Sequence, residues 1–322
     1  MKSLGLLLAL GFFLAAVAGC DRPASQQSAD GKRKVKLQLY WKPEPQFGGF
    51  YEAQRIGAFA KRGLEVEIIP GGAGEPSEAI VGAGRAEFGL SSADQVLISR
   101  ARGNNLVALF TTYQTNPQAI MTPAARDVSR LDDIFTGGTL AIEQGKPFSL
   151  YLEKKFGFGK LQVVPSPFGD LGEFRSRNDY AMQCFVTSEP LMARRAGLEP
   201  KVFLISDSGF NPYVGVVITT ESFVQQNRKV VDDFVAALEE GWTSYLQDPA
   251  PANAIMQRLN PTMDEQTFRE SAEAQKPLVQ ETPETRIGAM SKQRWDTLAA
   301  QLVELKVIPS AADADKCYIP RN

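Results

Sequence analysis

The chain has 322 residues, 43% of them hydrophobic, with 35 Lys and Arg against 37 Asp and Glu. That is enough apolar material for two packed cores, and it leaves no basic stripe or tail for nucleic acid. Histidine is absent, which excludes Ser-His-Asp and Cys-His nucleophile arrangements and every His-based metal site. The cysteines, Cys20, Cys184 and Cys317, are too few and too far apart for a zinc or iron–sulfur motif, so no metal or cofactor is expected.

In chain order, Lys2 precedes an apolar run from Leu4 to Ala18, too short for a comfortable membrane span and arranged as an export signal over residues 1–19. Val17-Ala18-Gly19-Cys20 resembles the lipobox of bacterial lipoproteins, which implies acylation of Cys20 and anchorage to the cell membrane on its periplasmic face. Asp21 resembles an inner-membrane retention signal, should the host have two membranes. Residues 20–33 are rich in Ser, Gln, Ala and charge without apolar periodicity, and read as a flexible tether.

From Lys34 the pattern alternates between strands and helices. Val35, Leu37, Leu39 and Trp41 recur at every second position, as in a strand with one inward face. After the loop Lys42 to Phe47, Gly48-Gly49 leads into a helix through Phe50, Ala53 and Ile56. A strand at 64–69 ends in the glycine-rich loop 71–74, and a helix runs from about Pro76 to before Gly84. Strand 87–90 runs into Ser91-Ser92-Ala93-Asp94, which opens a helix, and 105–112 is a further strand. The grammar restarts near Ser129, where Ser129 and Asp132 have the spacing of a helix N-terminus. Strands at 139–143, 161–164 and 180–186 follow, with helices after Pro147 and Pro190. Strand 214–219 leads to a long amphipathic helix with Val230, Phe234, Leu238 and Trp242 at i+4 steps as its core stripe, widened by Val231, Val235 and Tyr245, and a last helix carries Trp295, Leu298, Leu302 and Leu305. Spacing this regular predicts an α/β protein with doubly wound, mainly parallel sheets in two blocks.

Trp41-Lys-Pro, Gly49-Phe50-Tyr51-Glu-Ala, the run from Gly57 to Glu67, Ser91-Ser92-Ala93-Asp94-Gln95, Thr187-Ser188-Glu189-Pro190-Leu191 and Ala237 to Trp242 together resemble the pyrimidine-precursor and alkanesulfonate-binding receptors of ABC importers. The resemblance implies a two-lobed type II periplasmic binding fold. One lobe would comprise residues 34–113 and 212–322, the other residues 114–211. The ligand would lie in the cleft between them, and the segments near 112–117 and 209–213 would serve as hinge. It also implies a monomeric receptor that delivers a small molecule to a membrane permease, with no catalysis.

Candidate ligand contacts are the residues at strand ends and crossings: Trp41, Phe47, Tyr51, Ser92, Asp94, Tyr113, Glu189 and Tyr213. Phe47 could equally be core, and a helix cap would account for one of Ser92 and Asp94. Glu189 is the sharpest of them. It precedes a proline, which places it at a helix N-cap where glutamate is disfavoured, and a carboxylate there suits a ligand amine or protonated ring nitrogen. Cys184 and Cys317 can pair in an oxidising compartment or stand as two buried thiols; the sequence leaves both open. Four readings compete: a receptor for a nitrogen heterocycle such as a thiamine or flavin precursor, a receptor for an organosulfonate or other anion, a sensor module, and an enzyme. The resemblance extends to a eukaryotic branch that builds the thiamine pyrimidine from its own histidine, and the absence of histidine weighs against the last.

Overall fold

The computed structural model describes residues 31–311 and 314–320. The expected export signal, Cys20 and all of the tether before Gly31 lie outside the described residues. Among those described, no helix is long and apolar enough to cross a membrane.

Two five-stranded sheets carry the architecture. The first takes strands β1 (Arg33–Gln38), β2 (Leu64–Ile69), β3 (Phe88–Ser92), β4 (Leu106–Tyr113) and β10 (Val214–Thr220) in the order β2-β1-β3-β10-β4. The second takes β5 (Gln118–Pro123), β6 (Gly138–Ala141), β7 (Leu161–Val164), β8 (Tyr180–Phe185) and β9 (Pro200–Leu204) in the order β7-β6-β8-β5-β9. The two orders follow one plan. In each sheet the fourth position is filled by the strand that has just arrived from the other, β10 in the first and β5 in the second. Both arrivals are antiparallel to their neighbours, so the sheets are mixed where sequence periodicity predicts mainly parallel ones.

Burial explains the elements. In β1 Val35 and Leu37 are buried while Lys34 and Lys36 point out, and the strand pairs parallel with β2 and β3. Arg33 already belongs to this strand, so its pairing begins inside the expected tether. Helix α1 (Gly48–Arg55) lies on α8 (Arg228–Gln247) at a distance only glycine permits: a Cβ at Gly48 would fall 2.0 Å from the Tyr245 ring, and one at Gly49 2.2 Å from Trp242. Phe234, Leu238 and Trp242 of α8 are fully buried there. The N-terminal signal at Ser129 opens a 3-10 turn over Leu131–Thr136, not an α-helix. Asp133, not Asp132, accepts the Ser129 and Arg130 amides, at 2.8 and 2.9 Å.

Cys184 and Cys317 are not joined. Cys184 lies on β8 in the core of the second sheet, and Cys317 packs near Trp295 of α11 (Lys292–Glu304) beneath the first.

Candidate ligand-binding site

Between the sheets lies a cavity of about 1190 Å³. Strand ends of both sheets open into it, where mixed and parallel α/β sheets place their ligands.

The first sheet contributes the loop after β1. Trp41 Nε1 donates to Glu44 Oε1 (3.0 Å), Gln46 Nε2 donates to Glu44 Oε2 (3.2 Å), and Tyr40 OH donates to Gln46 Oε1 (2.8 Å). All four side chains line the cavity. Flanking prolines stiffen the loop, and its carbonyls are held from behind: Asn260 Nδ2 donates to Pro43 O and Gln275 Nε2 to Pro45 O. Gly71 N–H bonds Trp41 O at 3.0 Å, and a Cβ on Gly71 would sit 2.3 Å from Leu39 O, so this approach of the glycine-rich loop requires glycine.

From the second sheet comes Glu189, the first residue of α6 (Glu189–Arg195), with Ser188 rather than Glu189 at the N-cap. Its Oε2 accepts the Phe185 N–H at 2.8 Å. A glutamate in the first turn suits the helix dipole and occupies the place an external anion would take. Gln183 on β8 bridges Glu143 in both directions, accepting its N–H at 2.6 Å and donating to its Oε2 at 3.0 Å. The third wall comes from the start of α10 (Glu265–Val279). There Asp264 caps the helix and pairs with Arg195 of α6 at 2.5 Å. Arg195 also reaches Thr267, so one side chain ties α6 to α10 across the cavity mouth.

Burial pushes the Glu44 carboxyl up from 4.5 to about 7, and the charge of Glu189 adds to it. The Trp41 and Gln46 hydrogen bonds and the charge of Lys42 pull the other way. Glu189 is raised too, chiefly by burial, against the Phe185 N–H. The charge of Glu189, beside the second sheet, therefore reaches Glu44, beside the first, inside one cavity. Of the ionisable lining, six groups are acidic (Glu44, Glu75, Glu78, Glu143, Glu189, Asp264) and three basic (Lys42, Lys146, Arg195). Arg195 is taken up by Asp264, and Lys146 stands 4.0 Å from Glu143.

Of the eight residues expected from sequence, Trp41 and Glu189 line this cavity and the other six are not in its wall. Phe47 is fully buried, edge-on to Tyr40 at 5.3 Å, and Tyr51 is in the same core, because the glycine contact of α1 with α8 turns that helix inward. Ser92 ends β3, and its hydroxyl donates to Asp94 Oδ1 at 2.5 Å, so the pair satisfies itself. Tyr113 is buried, with its OH donating to Gln275 Oε1 at 2.8 Å; it supports the side chain that holds Pro45 and does not reach the cavity. Tyr213 sits at the second crossing, under the Arg294 guanidinium at 3.9 Å, and its OH accepts the Ser291 N–H. Glu44 escaped the sequence reading. Its local signal is a carboxylate held between Pro43 and Pro45 in the loop after β1. Among the described residues, no group of three or more His, Cys, Asp or Glu is placed to hold a metal ion.

The chain is 24% identical over 234 residues to the riboflavin-binding protein RibY of Chloroflexus aurantiacus, a match covering 68% of this chain and 64% of that protein, just under two thirds of its length. It is 24% identical over 296 residues to the formylaminopyrimidine-binding protein of Halalkalibacterium halodurans, covering 90% and 84%. Among solved structures, the periplasmic aliphatic sulphonate binding protein SsuA of Escherichia coli superposes with a TM-score of 0.70 at 13% identity, covering 90% of this chain and 93% of that one. The fold is thus the periplasmic binding protein fold, as the sequence resemblance implied. The family described as NMT1/THI5 like matches residues 44–252, more than half of the sequence, and the chain belongs to that family.

Proposed function

We propose that this protein is a solute-binding receptor of an ABC-type importer. It would capture a nitrogen heterocycle with amine or protonated ring-nitrogen character as its two halves close, and deliver it unchanged to a membrane permease. Each half comprises one sheet with its helices, and the segments 114–117 and 205–213 between them form the hinge. The single observation that carries the ligand class is the pair Glu44 and Glu189, contributed by opposite sheets to one cavity. A cationic or donor-rich ring placed between them satisfies both, whereas a sulfonate would meet two carboxylates and a helix N-terminus already occupied by Glu189. Tyr40, Trp41 and Phe185 supply aromatic surface beside those carboxylates.

Both relatives reported above are named as binding proteins for nitrogen heterocycles, which agrees with this reading. Fold alone would not decide between heterocycle and anion, since sites are grafted onto folds. The volume of about 1190 Å³ exceeds the usual range for small-ligand pockets, so the ligand is either larger than one pyrimidine ring or the halves close further around it. Anchorage through an acylated Cys20 completes the proposal and keeps the receptor beside its permease.

The test is calorimetry of the purified protein with formylaminopyrimidine, riboflavin and an alkanesulfonate, alongside mass spectrometry of whatever co-purifies. Binding of a heterocycle without the sulfonate is expected. Tight sulfonate binding with no heterocycle response would reverse the ligand assignment, and chemical change of the bound heterocycle would replace the receptor by an enzyme.

A further inference from the structure

The loop after β7 presents a side chain that neither core nor crossing explains. Phe168 is 68% exposed, the most exposed large apolar side chain among the described residues, and it lines the mouth of the cavity with Ser166 and Gly169. Its backbone is left-handed, with φ at 46° followed by 94° at Gly169, and the Asp170 N–H bonds Pro167 O at 3.2 Å. Positive φ at both central positions is the pattern of a type I′ turn, whose first central position favours Asn, Asp or Gly. A phenylalanine there is strained, and left in water it gains nothing from burial in return. Pro165 and Pro167 limit the freedom of the arm on either side of Ser166, so the ring is held out and does not collapse onto its own sheet. Met192 of α6, 37% exposed, is the other large exposed apolar side chain of this cavity wall.

Strain and exposure together make sense when something else covers the ring. We propose that Phe168 is a ligand-contacting residue, an aromatic cap from the second half that closes on the exposed face of the bound heterocycle. Trp41 brings aromatic surface from the first half, so a planar ligand would be held between contributions from both sides of the cleft, and its departure would require the cap to lift. This inference rests on the receptor reading above.

The experiment compares Phe168→Asn and Phe168→Trp with the parent protein, using formylaminopyrimidine and riboflavin as probes. Asn suits the left-handed turn and removes the ring; Trp keeps an aromatic face under the same strain. Expected for Phe168→Asn are an unchanged or raised melting temperature without ligand and an affinity at least about tenfold weaker, mostly through faster dissociation. Phe168→Trp should retain affinity within about threefold, because stacking tolerates the exchange. Equal affinity in Phe168→Asn and the parent would overturn the proposal and leave the ring to a contact with another protein. A lowered melting temperature of ligand-free Phe168→Asn, or an affinity in Phe168→Trp as weak as in Phe168→Asn, would overturn it in favour of a structural role. Failure of the parent to bind either heterocycle would instead remove the heterocycle assignment on which it stands.

Discussion

Acidification should weaken capture of a cationic ligand, with Glu44 as the group responsible. In the ligand-free protein its carboxyl lies at about 7, raised by burial first and by Glu189 second, against the Trp41 and Gln46 hydrogen bonds and Lys42. The unfolded chain releases that proton near 4.5, so between those two values the folded protein holds more of it. Stability of the ligand-free form from this group is therefore full at low pH and is lost as pH rises through 7. The difference amounts to about 3 kcal/mol at 1.36 kcal/mol per pH unit. A cationic ligand reverses the preference, since an ammonium beside the carboxylate favours ionisation and expels the proton. With an aminomethyl-substituted aminopyrimidine as probe, its amine charged throughout, affinity at pH 5.5 should be about 25-fold weaker than at pH 7.5, and about half a proton should leave per ligand bound at pH 7. Calorimetry in two buffers of different ionisation enthalpy measures both quantities, and Glu44→Gln should flatten the profile. A flat profile with no proton exchange in the parent protein refutes this account of Glu44. Proton uptake on binding of that probe, with affinity rising as pH falls, would refute it equally.

Glu189→Gln keeps the shape of the side chain and removes its charge; loss of a charged hydrogen bond of about 1.5–3 kcal/mol should weaken heterocycle binding roughly ten- to a hundredfold by calorimetry. Arg195→Ala should loosen the tie between α6 and α10 without unfolding the protein. A half-exposed ion pair is worth at most about 1 kcal/mol, so the ratio of open to closed forms should move by no more than about fivefold, seen as a larger radius of gyration in small-angle scattering, and 1 M NaCl should act on the parent in the same direction. Cys20→Ser should abolish metabolic fatty-acid labelling and release the protein from membranes; equal label in variant and parent would remove the anchor.

The sequence was most readable where one face of an element is buried and the other is wet. Strand β2 begins and ends where alternation places it, and the core stripe of α8 follows the i+4 steps from Phe234 to Trp242, with Val230 left half-buried at its start. Strand β5, by contrast, reads Gln-Ala-Ile-Met-Thr-Pro, with its apolar residues adjacent and a proline at its end, and β9 starts on a proline and is half-buried throughout. Helix α10 buries Thr267, Phe268, Ser271, Ala272 and Gln275, a stripe too polar for hydropathy to find, and contains Pro277, which argues against a helix at all. That helix supplies Gln275, the support of the Pro43-Glu44-Pro45 loop, so missing it meant missing the reason Glu44 is held in place. In the site itself, Glu189 is legible from its following proline, and Trp41 from an alternation that runs past the actual end of β1 at Gln38. Phe47 and Tyr51 were misplaced for a tertiary reason: the two glycines that precede Phe50 serve contact with α8, and no local pattern tells a helix start from a helix crossing.

The contacts between the halves divide into two kinds with different consequences for closure. At the crossings, Arg294 donates from Nε to Asn211 O at 2.7 Å and from Nη2 to Asn211 Oδ1 at 2.8 Å, and it also reaches Gln114 O; Asn211 Oδ1 in turn accepts the Asn116 N–H. One guanidinium thereby joins both crossing segments, and in the proposed closure it would hold them together while the halves turn. At the mouth, Arg195 bonds Asp264 and Thr267 where α6 lies against α10, so it would favour the proposed closure, but weakly, since Asp264 is 62% exposed. Opposing it, Glu44 and Glu189 face one cavity from opposite sheets, and in the proposed closure they would resist approach while both are charged. A ligand shifts a two-state equilibrium only by its difference in affinity for the two states. Set between those carboxylates, a cationic heterocycle converts the term that opposes closure into one that favours it, whereas an anion of equal size would strengthen the opposition. In the proposed receptor, the sign of the ligand's charge would therefore decide whether a closed form is presented to the permease.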